Sequence, residues 1–489
     1  MKENILQNKL DTLKAFRYLN SDTIDKLGNI LKSLDDWSLL RINPLMFAEK
    51  YGIEEKTCLD LFIHGVKIGL FDFSYNMLCP LCGGVVRIHR ELDELEEEKF
   101  YCSVCNAHVP TVLDGQVEAS FTIHPDIKEL KTDPLKDKYS YYRYHFSTNY
   151  ERSEELLEYI SDCIIKFKAL KSDEMYKVSL TGDKDYAYQF ASIEYNSASW
   201  IYFDEQEVTG RKKIEINLLP DGFTPSEIHL SPGSYQVEVH NRTKSSFGFL
   251  LYHFQFDEFT KNMKKYPLNV LPFLTAAHLI NTQSFRDLFR VQKLSESLNL
   301  NIKNLTIMFT DLKGSTAMYD EAGDMFAYKL IKEHFSLLSE SVRNHSGAIV
   351  KTMGDAVMAT FVSPLNGFLC ALDMIQKIDK LNEEWEQHGY GIGLKVGLNK
   401  GPALTVLNDE RLDYFGQSIN IAARIQGLAG AGEICLSDSV YKESGIEQLV
   451  TQNGYLSEYT EAHLKGVGNR MPVYKIFIHD EHLSGNPNK

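Results

Sequence analysis

Leu305–Thr316 reads LTIMFTDLKGST, and Gly347–Phe361 reads GAIVKTMGDAVMATF. In the first stretch the apolar run Leu305 to Phe309 forms a buried strand. It delivers Asp311 at its end, just before a short glycine-containing loop. The second stretch reads as two strands joined by a tight turn at Met353-Gly354-Asp355. A carboxylate ending one strand and another at the tip of a neighbouring hairpin can meet at one point. Such a pair suits Mg²⁺, which takes a few carboxylates and keeps room for phosphate oxygens and water. Two ions held this way suit in-line displacement at phosphorus. Taken singly, either aspartate is more simply a turn residue at a strand end.

Working outward, residues 301–478 follow the order strand, helix, hairpin, helix, strands. That is an α+β alternation with a ferredoxin-like, palm-like core. Two further motifs lie downstream, LDYFGQSINIAARI at Leu412–Ile425 and LKGVG at Leu464–Gly468. Asn420 and Arg424 are four apart and share one face of the helix after Gly416. With FTDLKGST and KTMGDAVMA ahead of them, these motifs resemble, in order, those of the class III adenylate and guanylate cyclase catalytic domain.

The resemblance implies a role for each matching residue. Asp311 and Asp355 would bind two Mg²⁺ or Mn²⁺ ions, with the carbonyl of Leu312 as a further ligand. The Gly314 loop would approach the triphosphate. Lys351 and Asp413 would read the base, Asn420 would orient the ribose, and Arg424 would stabilise charge on the α-phosphoryl, a task its planar fork suits. Lys465 would neutralise the β- and γ-phosphates. The implied reaction is two-metal conversion of ATP to 3′,5′-cyclic AMP and pyrophosphate. Metal residues of one subunit would face base and arginine residues of the other, which implies a symmetric homodimer.

The base preference has a physical reading. Lysine only donates and an ionised carboxylate only accepts. That order matches adenine and is reversed for guanine; cytosine shares adenine's order, so the pair alone leaves CTP open. The alternatives are therefore a cyclase of other base specificity, cytidylate or guanylate, or a nucleotide-sensing scaffold with a silent cyclase domain. Against a diguanylate cyclase, the GG[DE]EF loop is absent and the hairpin reads MGDAV. One departure stands out: Pro402 occupies a position where some relatives carry a phosphate-binding arginine, and Lys400 is the nearby substitute.

The front half divides by pattern. Residues 1–75 are helical, with a winged-helix-like outline. Residues 76–112 hold CPLC, nineteen residues and then CSVC. That spacing suits one structural Zn²⁺ bound by Cys79, Cys82, Cys102 and Cys105, a zinc ribbon with no open coordination position. Residues 113–258 alternate in short runs, VEASFTIH, YRYHFS and SWIYF among them, and predict an all-β, sandwich-like regulatory domain. Residues 259–300 read as a helical connector and residues 479–489 as a disordered tail. The acidic run Glu91 to Glu98 is a solvated loop. This half as a whole resembles a domain of unknown function that precedes bacterial class III cyclases.

A net charge of -15 over 489 residues counts against a broad nucleic-acid footprint or adhesion to anionic lipid. The second front helix begins with Glu54 and Glu55, which also counts against DNA reading and a zinc-ribbon transcription factor. No apolar run approaches the ~20 residues that cross a bilayer. The expectation is a cytoplasmic protein with ATP as substrate, without a membrane or stable nucleic-acid partner.

Overall fold

The computed structural model of the chain describes residues 1–90, 99–110, 115–204, 213–289, 300–313, 324–385, 392–408, 411–468 and 470–478. The chain forms two compact units, Met1–Thr111 with Gly115–Leu274, and Thr275–Lys489.

The first unit opens with four helices, Glu3–Lys14, Ser21–Ser33, Pro44–Tyr51 and Glu55–Lys67. Asn20 and Asn43 cap the second and third by accepting from backbone N–H groups of the first turn. Leu6, Leu10 and Leu13 of the first helix and Ile24, Leu27 and Leu31 of the second are buried. The aromatic strand Phe71–Leu78 follows and pairs antiparallel with both Val85–His89 and Val117–Ile123. The expected boundary at 75/76 therefore falls inside a strand. VEASFTIH belongs to this small sheet, because Phe71, Phe121 and Ile123 share its buried face.

The sandwich is real but shorter than expected. Its five-stranded sheet runs Glu227–Leu230, Ser197–Phe203, Tyr186–Ser192, Phe247–Gln255, Ile164–Leu170. The facing sheet runs Gly222–Thr224, Lys213–Leu219, Gly233–Asn241, Met175–Gly182. Phe190, Ile201 and Phe249 from one sheet meet Ile216, Val237 and Val239 from the other in a core without solvent exposure. The all-β reading of residues 113–258 fails before Ile164, where Lys138–His145 and Glu154–Cys163 are helices. YRYHFS, expected as a strand, is largely in the first of these. Aromatic residues favour strands, but Asp137 caps the helix at Ser140 N (2.8 Å), and buried Tyr141 donates its hydroxyl to Gly248 O (2.9 Å). The cap and a long-range contact outweigh the local preference.

The second unit is built on the strands β1 (Leu300–Lys313), β2 (Gly347–Met353), β3 (Ala356–Phe361), β4 (Gly393–Asn408), β5 (Arg411–Phe415), β6 (Glu433–Ser437), β7 (Leu456–Ala462) and β8 (Met471–Phe477). The helices α1 (Asp324–Asn344) and α2 (Pro364–Trp385) complete the repeat β1-α1-β2-β3-α2-β4. Its sheet order is β2-β3-β1-β4, antiparallel throughout, which is the expected ferredoxin-like core. The sheet continues through β6, β8 and β7, with β5 folded onto β4. Leu338 and Val342 of α1 and Phe368, Ala371 and Ile375 of α2 pack on Met308, Val396 and Leu398 of the sheet. The helix α3 (Gln417–Gln426) seats Ile425 against Cys435, Leu464 and Val473.

The expected connector 259–300 is divided. The helix Phe256–Lys265 belongs to the first unit, while the short helices Ala276–Ile280 and Gln283–Leu288 belong to the second. Residues 290–299, the Glu91–Glu98 run and the 479–489 tail lie outside the described residues. Among the described residues no helix is long and apolar enough to cross a membrane.

Candidate active site

Thr310 of β1 pairs with Val357 of β3, so Asp311 comes opposite Ala356 and beside the turn that carries Asp355. Gly354 holds φ +64° at that turn, a left-handed conformation that glycine adopts without steric cost. The two expected aspartates are thus brought together by strand register. Asp355 Oδ2 is buried and has no hydrogen-bond partner. Asp311 Oδ2 lies 3.3 Å from Nζ of Lys395, its cross-strand neighbour on β4. Leu312, next along β1, is buried. A buried, unpaired carboxylate oxygen, with a second aspartate next after the last β1–β3 rung, fits a hard divalent cation. Behind the turn, His334 of α1 is fully buried, with Nε2 3.4 Å from the Asp355 carbonyl. Burial lowers its pKa to about 4, so the ring is neutral.

Lys351 and Asp413, 62 residues apart, meet directly: Lys351 Nζ donates to Asp413 Oδ2 at 2.6 Å. Asp413 is largely buried, and its Oδ1 accepts from Tyr414 N at 2.8 Å. The carboxylate is therefore fixed at both oxygens, while the lysine side chain is 39% exposed.

Three residues ahead of the cyclase-like motifs support this pair, and no motif marks them. Arg286 donates through Nη1 to Leu412 O (2.8 Å) and through Nη2 to Tyr414 Oη (2.9 Å), bracketing Asp413. Gln283 accepts at Oε1 from Ile349 N (2.7 Å), two residues before Lys351. Asn281 Oδ1 accepts from Thr360 Oγ1 (2.6 Å) and Tyr414 Oη (2.9 Å). The two short helices thus grip both strands that carry the pair. Lys395 and His334 were likewise not singled out by sequence reasoning, because their roles arise from cross-strand register and helix packing.

On α3, Asn420 is exposed and Arg424 half-buried. A Cβ placed on Gly466 would lie 3.5 Å from Arg424 Nη2, so the LKGVG loop lies against the guanidinium. Lys465, one residue away, is exposed. Lys400 pairs with Glu443 at 2.6 Å and is not the free cation that the Pro402 departure called for. Gly314 lies outside the described residues.

In the first unit the sulfurs of Cys79, Cys82, Cys102 and Cys105 all lie within 4.8 Å of one another. Cys79 Sγ is 3.9 Å from Cys105 Sγ, and Cys82 Sγ is 3.8 Å from Cys102 Sγ. A tetrahedron with Zn–S bonds of ~2.3 Å puts its sulfurs ~3.8 Å apart. Hydrogen bonds from Cys102, then Cys105 and Cys82, hold the Cys79 thiol far below its ordinary range. The donor set fits Zn²⁺.

The second unit contains a class III nucleotidyl cyclase catalytic domain, shown by its family match. Residues 299–478 match the adenylate and guanylate cyclase catalytic domain family. Residues 4–287, over half of the chain, match a family of unknown function, DUF5939, and the chain belongs to that family. An adenylate cyclase of Lachancea kluyveri is 27% identical over 198 residues, 36% of this chain and 10% of the relative. One from Anabaena cylindrica is 29% identical over 139 residues, 26% of this chain and 27% of the relative. The chain thus spans a small part of these relatives. Among solved structures, the adenylyl cyclase CyaB from P. aeruginosa is 22% identical, with TM-score 0.32, covering 36% of this chain and 95% of the other.

Proposed function

We propose that the protein is an adenylate cyclase that converts ATP to 3′,5′-cyclic AMP and pyrophosphate. The observation that carries this reading is the 2.6 Å contact between Lys351 and Asp413, a donor and an acceptor side by side. A lysine N–H aimed at adenine N1 and a carboxylate accepting from the 6-amino group match ATP. GTP presents the reverse order. Two Mg²⁺ or Mn²⁺ ions held by Asp311, Asp355 and the Leu312 carbonyl would supply charge to activate the ribose 3′-OH and to stabilise the leaving pyrophosphate. Asn420 orients the ribose, Arg424 takes charge developing on the α-phosphoryl, and Lys465 neutralises the β- and γ-phosphates, with the Gly314 loop at the triphosphate. Catalysis is then mostly positioning and charge neutralisation.

We place the site at a homodimer interface. Met353, beside the metal turn, is 42% exposed, and Phe415, ahead of α3, is 67% exposed. Large apolar side chains exposed next to site residues are what a second subunit would cover. We read residues 1–274 as the regulatory half, held in part by one structural Zn²⁺ on Cys79, Cys82, Cys102 and Cys105. A four-thiolate site requires a reducing compartment, which favours the cytoplasm. Incubating purified protein with each of the four NTPs and identifying the cyclic product by mass tests the reading. Cyclic AMP as the dominant product is expected. Cyclic CMP or GMP would reassign the base, and no cyclic product with any metal would leave a silent scaffold.

A further inference from the structure

The first unit contains a cavity of about 600 Å³. That lies within the ~300–1,000 Å³ of small-ligand sites. Trp200, Tyr252 and Phe254 of the sandwich line it on one side. Phe256, Phe259 and Met263 of the helix Phe256–Lys265 line the other. These three recur at helical spacing, so they form one apolar stripe. None of the helix's residues is buried: the stripe faces the cavity rather than a packed core. Phe256 lies nearly parallel to Trp200, 19° between planes with centroids 6.2 Å apart, and Phe259 packs tilted on Phe254 at 32° and 5.0 Å. The cavity therefore offers flat aromatic faces.

Two of its buried polar groups stand without partners. Trp200 is only 6% exposed, and its Nε1 is a buried donor without a partner. Tyr142 Oη, also buried, is likewise unpartnered. An indole N–H can only donate, so its partner must be an acceptor. Arg152 contributes positive charge, its guanidinium 5.3 Å from the Tyr142 ring centre and anchored through Nη1 to Tyr150 O at 2.9 Å. Lys264 adds a second cation; among the described residues no aspartate or glutamate lines the cavity, and Gln189, Asn106 and the thiols of Cys82 and Cys105 are also part of its polar lining. Buried donors without acceptors are costly and become useful only when an acceptor arrives.

The geometry points to a binding site for a flat aromatic carboxylate, its rings against the aromatic wall that sandwich and helix form together and its carboxylate toward Trp200 Nε1, Tyr142 Oη and Arg152. No such ligand follows from the cyclase chemistry, and the site lies wholly within the unit that precedes the catalytic domain.

The test uses the full chain and three probes of one shape: 2-naphthoate, neutral 2-naphthamide and cationic 2-naphthylmethylamine, titrated by calorimetry without nucleotide. Naphthoate is expected to bind saturably, one per chain, at least tenfold tighter than the amide, with no binding of the amine. Tyr142→Phe keeps the ring and removes one donor; Trp200→Phe removes the other donor and leaves a smaller aromatic ring. Each should weaken naphthoate about tenfold, the order of a hydrogen bond to a charged group. Circular dichroism and melting temperature check that the fold survives. Thr260→Trp, on the helix at the cavity wall, should fill the space and abolish binding. The proposal is overturned if naphthoate does not bind saturably, if the amide binds as well, or if the folded variants all bind like the parent chain. The readout is independent of turnover, so its failure would leave the cyclase reading standing, and the reverse also holds.

Discussion

Asp355 shows how much one buried atom can reveal. Its Oδ2 has no hydrogen-bond partner, so the fold gains nothing there from the charge. Asp355→Asn should therefore keep the melting temperature within a few degrees yet lower turnover by at least about a hundredfold at saturating Mg²⁺. Retained activity would exclude a metal role. Lys351 and Asp413 behave differently, because each satisfies the other. Removing Lys351 alone would strand a largely buried carboxylate, which is costlier than removing both charges. Lys351→Glu with Asp413→Cys should instead narrow the preference for ATP over GTP by about tenfold or more. Unchanged discrimination, measured as the ratio of kcat/KM values, would show that neither residue reads the base. Motif order suggested a role for each of these three residues. It could not predict that Lys351 and Asp413 hydrogen-bond directly to each other.

The elements that frame the site include two the motifs leave out. The short helices Ala276–Ile280 and Gln283–Leu288 hold β5 through Arg286 and Asn281 and hold β2 through Gln283. In the proposed reading they therefore support the pair that reads the base. Arg286→Ala releases the strand on both sides of Asp413 and should lower kcat/KM for ATP about tenfold while narrowing discrimination against GTP. A drop in melting temperature with discrimination intact would mark Arg286 as structural only. In the first unit, the cysteine knuckles flank Val85–His89 and the hairpin Lys99–Cys102 with Ala107–Pro110. Phe100 and Val109 are its buried apolar residues, and metal should hold its cysteine end. Purified protein should carry about one zinc per chain. Cys79→Ser with Cys102→Ser should lose it and expose the segment to protease. Less than about half an equivalent, in a preparation never exposed to chelator, would count against the site. Element type was legible where periodicity was strong, as in Glu3–Lys14 and Ser21–Ser33. It failed at Lys138–His145, where the deciding partner, Gly248, is over a hundred residues away.

For the whole molecule, the shared-site arrangement makes a quantitative demand. Asp311→Ala and Arg424→Ala should each be nearly inactive alone. In a mixed dimer one interface site collects both defects and the other collects neither. Random pairing puts half the dimers in the mixed state, each with one intact site of two. Co-expression should therefore restore about one quarter of wild-type activity, as isologous pairing requires. Tagging each variant differently and purifying through both tags isolates the mixed species. Such a dimer without regained activity would favour sites complete within one chain.

The motifs singled out Asp311, Asp355, Lys351, Asp413, Arg424 and the four cysteines as candidates, because each motif is a short run of residue types. The ferredoxin-like order of β1 to β4 was equally legible, since strand–helix alternation leaves few ways to bury one face of a sheet. Other features depend on which distant segments come together. The orphaned Asp355 oxygen, the grip of Arg286 on β5, the helix at Lys138–His145 and the aromatic cavity under Phe256–Lys265 are of this kind. Hydrogen bonds and burial between residues a hundred positions apart leave no periodic trace along the chain, so packing alone creates them.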